Sequence, residues 1–283
     1  MIKISVVLPA KNESGAIGGT IKAIQALGMV NEILVINDGS TDNTQQVAEH
    51  AGAKVIKHPY SKGNGAAIKT GARYASGDVI VFMDADGQHD PDDIPRLLEK
   101  IEQGYDLVVG ARQKGSQASL GRGIANSIYN NLATYMTEHK VEDLTSGFRA
   151  VNAGKFREFL YLLPNGFSYP TTSTIAFFRA GYSVTYVPIH VAKRIGNSHI
   201  QPLKDGVRFF LIIFKIATLF SPLKMFLPLA LLMFFLASGW YGYTLWQYHR
   251  FTNMSALLYT GSVMIFLMGL VSEQITALMY REK

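Results

Sequence analysis

The stretch Val79-Ile80-Val81-Phe82-Met83-Asp84-Ala85-Asp86-Gly87-Gln88-His89-Asp90 decides how the chain is read. Five apolar residues without alternation predict a short strand covered on both faces. The run then breaks into carboxylates two residues apart. Bringing like charges together beside a buried strand is costly unless a cation neutralises them. Hard oxygen ligands suit Mg²⁺ or Mn²⁺, which commonly also hold substrate phosphates. Asp84 and Asp86 are the candidate ligands, and Gln88 can add a neutral oxygen. His89 reads better as a structural, hydrogen-bonded histidine than as a ligand. An Asx turn or helix cap is the alternative for the two acids taken alone.

The same grammar repeats on either side. Ile4–Leu8, Ile33–Ile36, Lys54–Lys57, Leu107–Val109 and Tyr182–Pro188 read as strands. Between them, helices are predicted over Ser14–Leu27 with Ser14 as cap, and over Asn43–Ala51, Gly63–Ala75, Pro91–Gln103, Leu120–Met136, Lys155–Leu163 and Thr172–Ala180. Alternating strands and helices predict an α/β fold with a mainly parallel sheet, in which ligands bind beyond the carboxyl ends of the strands. Pro9-Ala10-Lys11-Asn12-Glu13 and Asn37-Asp38-Gly39-Ser40 each follow a strand and join the acidic cluster there. Lys62-Gly63-Asn64-Gly65-Ala66-Ala67 precedes a helix, whose positive end suits phosphate. It fails the dinucleotide fingerprint, because Ile68 stands where a small third residue is required.

Beyond residue 200 the chemistry changes. Residues 225–249 contain no Asp, Glu, Lys or Arg over 25 positions, and 251–272 none over 22. A membrane-spanning helix needs about 20 such residues. Spans are predicted over about 224–247 and 254–277, within a segment 222–283. Residues 201–221, apolar but interrupted by Lys and Arg, suit an interfacial helix. Trp240, Tyr241, Tyr243 and Trp246 cluster as interfacial aromatics do. Lys204, Arg208, Lys215 and Lys224 precede the spans and Arg281 and Lys283 follow them, against Arg250 in the link. The positive-inside rule therefore places residues 1–200 and the C-terminus in the cytoplasm, on an inner, cytoplasmic membrane. A helical hairpin buried in a soluble domain is the alternative.

The chain has 283 residues and a formal net charge of +6. Residues 1–200 carry 20 basic and 18 acidic side chains, and 201–283 carry 7 and 3, so the excess sits on the apolar end. That distribution favours a lipid bilayer over nucleic acid as partner. Without cysteine there is no disulfide framework and no thiolate metal site. The first residues, Met1–Ser5, turn strand-like too early to read as a signal peptide.

Taken together and in order, Pro9–Glu13, Asn37–Thr44, Lys62–Ala67, Asp84–Pro91 and Ser146–Arg149 resemble the motifs of family 2 glycosyltransferases, above all the polyprenyl-phosphate branch. The resemblance implies a GT-A catalytic domain over residues 1–200 and single-sugar transfer from a nucleotide sugar to undecaprenyl or dolichyl phosphate. It implies that Pro9, Glu13, Ile36 and Asp38 hold the nucleoside, with Lys62, Asp84, Ala85 and Asp86 completing the nucleotide-sugar site. Asp84, Asp86 and Gln88 would hold Mg²⁺ or Mn²⁺ on the diphosphate. Arg112, Arg122, Arg194 and Ser198 would meet the acceptor phosphate, with Asp86, Arg112 and Arg194 as the catalytic set. Lys11 departs from the aromatic residue common at its position. The Gln-x-x-Arg-Trp motif of processive members is absent, which argues against polysaccharide elongation. UDP-glucose or a related UDP-sugar is the favoured donor and GDP-mannose the competitor. A catalytically silent membrane-bound subunit is the alternative from another class, and a homo-oligomer stays open.

Overall fold

The computed structural model describes residues 2–113, 120–166, 169–191, 214, 218 and 221–279. The chain divides into two compact units, Met1–His199 and Ile200–Lys283.

The first unit is built on a seven-stranded sheet. In chain order its strands are β1 (Ile4–Ala10), β2 (Glu32–Asn37), β3 (Lys54–Lys57), β4 (Val79–Phe82), β5 (Leu107–Arg112), β6 (Arg149–Asn152) and β7 (Val184–Ile189), and their spatial order is β3-β2-β1-β4-β6-β5-β7. All pairings are parallel except those of β6, which runs antiparallel to both β4 and β5. Continuous apolar runs explain the central strands, since Val6, Val7 and Leu8 of β1 and Leu34, Val35 and Ile36 of β2 have no exposed surface. In this register Ala10 lies beside Asn37, and Asn37 beside Lys57. The polar segments after β1, β2 and β4 therefore leave the sheet at one edge.

The helices are α1 (Ile17–Ala26), α2 (Thr44–His50), α3 (Asn64–Tyr74), α4 (Ile94–Glu102), α5 (Leu120–Thr137), α6 (Ala153–Glu158) and α7 (Tyr169–Arg179). Ile17, Ile21 and Ile24 form the buried stripe of α1, as the helical period requires. Ser14 does not cap this helix. Its amide donates to Asp42 Oδ2 at 3.2 Å, and the first turn closes on the Glu13 carbonyl, which accepts from Ala16 and Ile17 at 3.1 and 3.0 Å. The helix proper begins at Ile17 with Ala16 in the cap position, so Ser14 lies too far upstream to cap it. Several other boundaries move, three of them by three or more residues. β5 runs on to Arg112, α6 stops at Glu158, and α7 starts at Tyr169.

In the second unit α8 (Pro222–Tyr248) and α9 (Asn253–Met279) form a helical pair linked through His249, whose φ is 48°. Both are long and apolar enough to cross a membrane, and only 11% and 17% of their most apolar windows are buried. A core helix of a soluble domain would be mostly buried. The interfacial helix expected at 201–221 lies almost wholly outside the described residues.

Candidate functional site

A cavity of about 410 Å³ opens at the carboxyl edge of β1, β2 and β4. Pro9, Glu13, Asp38, Asp84, Ala85 and Asp86 all line it, together with Lys11, Ser61 and the start of α3. Six of the expected nucleotide-sugar residues therefore meet in one place. Ile36 does not line it, being buried in β2 without exposed surface. Lys62 is exposed beside it, with its ammonium 5.8 Å from the centre of the Tyr60 ring.

The loops on the β1–β2 side hold one another in place. Glu13 N–H donates to Thr44 Oγ1 at 2.8 Å, Asn12 N–H to Ser40 Oγ at 3.0 Å, and Thr41 N–H to Asn12 Oδ1 at 2.8 Å. Asp38 organises the next loop. Its carboxylate accepts from Ser61 Oγ and from the amides of Lys62 and Gly63 at 2.8–2.9 Å, and His58 Nδ1 lies 2.7 Å away. Burial opposes this charge, but His58, the two amides and Ser61 outweigh it and hold the carboxyl below its ordinary range. Asp38 thus ties residues 58–63 down beside the cavity. The Lys11 ammonium donates to Ser61 Oγ at 3.0 Å and joins this network.

The amino end of α3 differs from the sequence expectation. Gly65 and Ala66 donate their amides to the carbonyls of Gly166 and Asn165 at 3.1 and 2.9 Å. A Cβ on Gly65 would lie 2.1 Å from the Pro164 carbonyl oxygen. The small residues here admit a neighbouring segment of the chain, and those two amides are not available to a phosphate.

The β4 side is electrostatically different. Asp84 is half-buried, and burial pushes its carboxyl above its ordinary range; His89 opposes this and Asp86 adds to it. Asp86 Oδ1 accepts from the amide of Gln88 at 3.1 Å, and Asp90 Oδ1 from that of Asp92 at 3.0 Å, so Asp90 caps the turn at Pro91–Asp93. His89 is buried, stacked on Phe148 with ring centres 5.2 Å apart, and its Nδ1 has no hydrogen-bond partner among the described residues. Burial lowers its pKa against the pull of Asp84. Two carboxylates facing one cavity, one of them driven towards its neutral form, fit a hard divalent cation, which would restore the ionised state. Among the described residues no three His, Asp or Glu side chains close into a cage. The acid pair would share an ion with other oxygens, and Gln88 stands two residues beyond Asp86.

Arg112 ends β5 and makes a bidentate pair with Asp143, Nε to Oδ2 at 2.7 Å and Nη2 to Oδ1 at 2.9 Å. Burial opposes both charges, but the pairing prevails, holding Asp143 low and Arg112 high. Arg149 has no exposed surface. Its Nη1 donates to the Pro170 carbonyl, Ser173 Oγ and Thr174 Oγ1 at 2.9–3.1 Å, and its guanidinium lies 5.6 Å from the Tyr169 ring centre. Asp143, Arg149, Tyr169 and His58 escaped the sequence reading as site-forming residues. The available signal was Arg149 itself, a charge between Phe148 and Ala150-Val151 that demands buried partners. Arg194 and Ser198 lie outside the described residues, as does the side chain of Arg122.

Comparison with known proteins gives this geometry a family. Residues 5–160 match the model of glycosyl transferase family 2, and residues 221–278 match the model of the GtrB C-terminal hairpin. The chain is 29% identical over 230 residues to the glycosyltransferase AglJ of Haloferax volcanii, covering 79% of this chain and 75% of that one. It is 34% identical over 202 residues to the undecaprenyl-phosphate 4-deoxy-4-formamido-L-arabinose transferase of Salmonella paratyphi B, covering 68% of this chain and 60% of the relative's length. Among solved structures it resembles glucosyl-3-phosphoglycerate synthase from Mycobacterium tuberculosis in complex with Mn²⁺, uridine diphosphate and phosphoglyceric acid. That match has a TM-score of 0.60 at 28% identity, over 76% of this chain and 77% of that one. The same synthase with Mg²⁺ and uridine diphosphate matches with a TM-score of 0.59 at 28% identity, over 75% and 79%.

Proposed function

Because the chain belongs to glycosyl transferase family 2, we propose that it moves one sugar from a nucleotide sugar to a polyprenyl phosphate at the cytoplasmic face of a membrane. The observation that carries this reading is the cavity in which the ordered loops around Asp38 face the Asp84/Asp86 pair. One side suits a nucleoside and the other a charged diphosphate. The hairpin and the undecaprenyl-phosphate relative support a lipid acceptor. UDP-glucose or a related UDP-sugar is the favoured donor, in keeping with the uridine diphosphate in the synthase structures. GDP-mannose is the competitor.

The acceptor phosphate is its own nucleophile. A phosphomonoester has a second pKa of about 6, so no general base is needed at neutral pH. Its oxygen bonds to the anomeric carbon while the bond from that carbon to the nucleoside diphosphate breaks. The diphosphate leaves with the electron pair, and attack from the opposite face inverts the anomeric centre. A divalent ion held by Asp84, Asp86 and Gln88 would stabilise the charge growing on that leaving group. Asp38 keeps the 58–63 loop against the nucleoside side, and Pro9 and Glu13 wall it. Arg112 uses Nε and Nη2 on Asp143 and Thr145, and among the described residues its Nη1 is the group left to attract the acceptor phosphate. Arg122, Arg194 and Ser198 are assigned to the same phosphate.

Substituting Asp86→Asn at saturating Mg²⁺ or Mn²⁺ tests the metal assignment. Turnover is expected to fall at least about 100-fold, in line with the sensitivity of such sites. Turnover equal to wild type would remove Asp86 from the metal site.

A further inference from the structure

Asp84 rests on the backbone at Gly147. A methyl group on Gly147 would lie 3.0 Å from Asp84 Oδ2, 3.4 Å from Oδ1 and 3.4 Å from Tyr169 Oη. Contacts that close require the neighbour to move. Asp84 has little freedom to do so, because only the buried Met83 separates it from β4, whose four residues are all buried.

The segment behind the carboxylate is held from within the core. Tyr169 Oη donates to the Gly147 carbonyl at 2.9 Å. Arg149 Nη2 donates to the adjacent Ser146 carbonyl. Asp143 Oδ1 accepts from the amides of Thr145 and Ser146, each at 3.1 Å. Tyr169, Arg149 and Asp143 are themselves buried. Two successive carbonyls are thus anchored by buried donors, and the α-carbon between the pinned groups is the surface that Asp84 meets. A side chain at this position would have to displace either a core network or the carboxylate.

We propose that Gly147 is a positioning residue for the metal site: its bare α-carbon, fixed by Tyr169 and Arg149, sets the place of the Asp84 carboxylate. The proposal rests on the assignment of Asp84 to the divalent ion. Residues that orient a ligand without touching the ion commonly change metal affinity 10- to 100-fold when altered.

The test is Mn²⁺ binding by the full-length chain in detergent, followed by electron paramagnetic resonance in the presence of uridine diphosphate, with guanosine diphosphate in parallel. Gly147→Ala is expected to weaken Mn²⁺ about 10-fold or more while the thermal unfolding midpoint without metal stays within a few degrees of wild type. A general structural defect would instead lower the midpoint. Tyr169→Phe removes one hydrogen bond to the Gly147 carbonyl without adding bulk, and is expected to weaken Mn²⁺ by about 2- to 10-fold. It decides the matter if the alanine variant does not fold. Unchanged Mn²⁺ affinity in the folded Gly147→Ala chain, or in Tyr169→Phe where the former does not fold, overturns the role of Gly147 alone. Failure of the wild-type chain to bind Mn²⁺ with either nucleotide overturns the metal assignment, and the positioning role with it.

Discussion

The two units of this chain obey opposite rules of burial. In the sheet unit the largest fully buried side chains include Phe82, Phe148, Phe156 and Phe177. In the helical pair the large side chains face outward, with Phe235 67% and Trp246 85% exposed, while Ala230, Ala237, Thr244, Ser255, Ser262 and Thr276 are buried. In water such a surface would leave a large contiguous apolar area wet, which favours a lipid setting. In lipid the arrangement is natural, since small residues let helices approach closely and polar side chains bond across them. Ser262 Oγ donates to the Ala230 carbonyl at 2.8 Å, and Tyr259 Oη to Ser238 Oγ at 3.0 Å. A Cβ on Gly269 would lie 2.8 Å from Phe226 Cβ.

Substitutions can break or sharpen this contrast. The largest effect belongs to the hairpin's role in reaching the acceptor. A chain ending at His199 should lose about 100-fold or more of its transfer to long-chain lipid in membranes, through lost effective concentration, while keeping metal-dependent hydrolysis of a nucleotide sugar. Equal transfer by the short chain would reduce the hairpin to a passive appendage. Core truncation should come next. Ile21→Ala in α1 is expected to cost about 2–5 kcal/mol of sheet-unit stability. Phe235→Ala, from an outward position, should cost the helical pair in detergent under about 1 kcal/mol. Thermal unfolding reads both, and equal losses would erase the contrast.

A smaller effect separates the two sides of the cavity. Asp84 is raised by burial, so its ionised form costs folding energy above the ordinary carboxylate pKa of about 4. Asp84→Asn should therefore stabilise the metal-free unit near pH 7, by on the order of 1 kcal/mol or about 2–4 °C, while abolishing transfer. A lowered midpoint would mean that the carboxylate is structurally satisfied. Asp38, Asp106 and Asp143 behave in the opposite sense. Their carboxyls are depressed despite burial, by His58, Lys155 and Arg112 respectively among their partners. The stability they contribute is fully present above about pH 4 and is lost as pH falls through their lower folded values. Acid titration of unfolding should show this loss, reduced in Asp106→Asn.

The strands were legible because continuous apolar runs have few other uses, and so was their common edge, where the polar clusters gather. The reversal of β6 was not, since Arg149–Asn152 carries no mark of its direction. Ser14 misled because the chain turns towards Asp42, 28 residues away, before the helix starts at Ile17. The end of α3 misled for a similar reason, as its amides meet carbonyls about a hundred residues later. The acid pair stood out through its local cost. The groups that arrange its surroundings did not, because Asp143, Arg149 and Tyr169 act through contacts distant in sequence. The two long apolar helices were legible, since a lack of charge over more than 20 residues is a local property.

Transfer itself is the central claim, and the lipid product tests it most directly. Membranes containing the full-length chain are incubated with undecaprenyl phosphate, Mg²⁺ or Mn²⁺, and labelled UDP- and GDP-sugars in turn, and the extracted lipid is weighed by mass spectrometry. The expected result is one new lipid, heavier than the acceptor by a single sugar residue, formed from one donor and absent with Asp86→Asn. No glycosylated lipid from any donor, or a lipid carrying a growing chain of sugars, would contradict it.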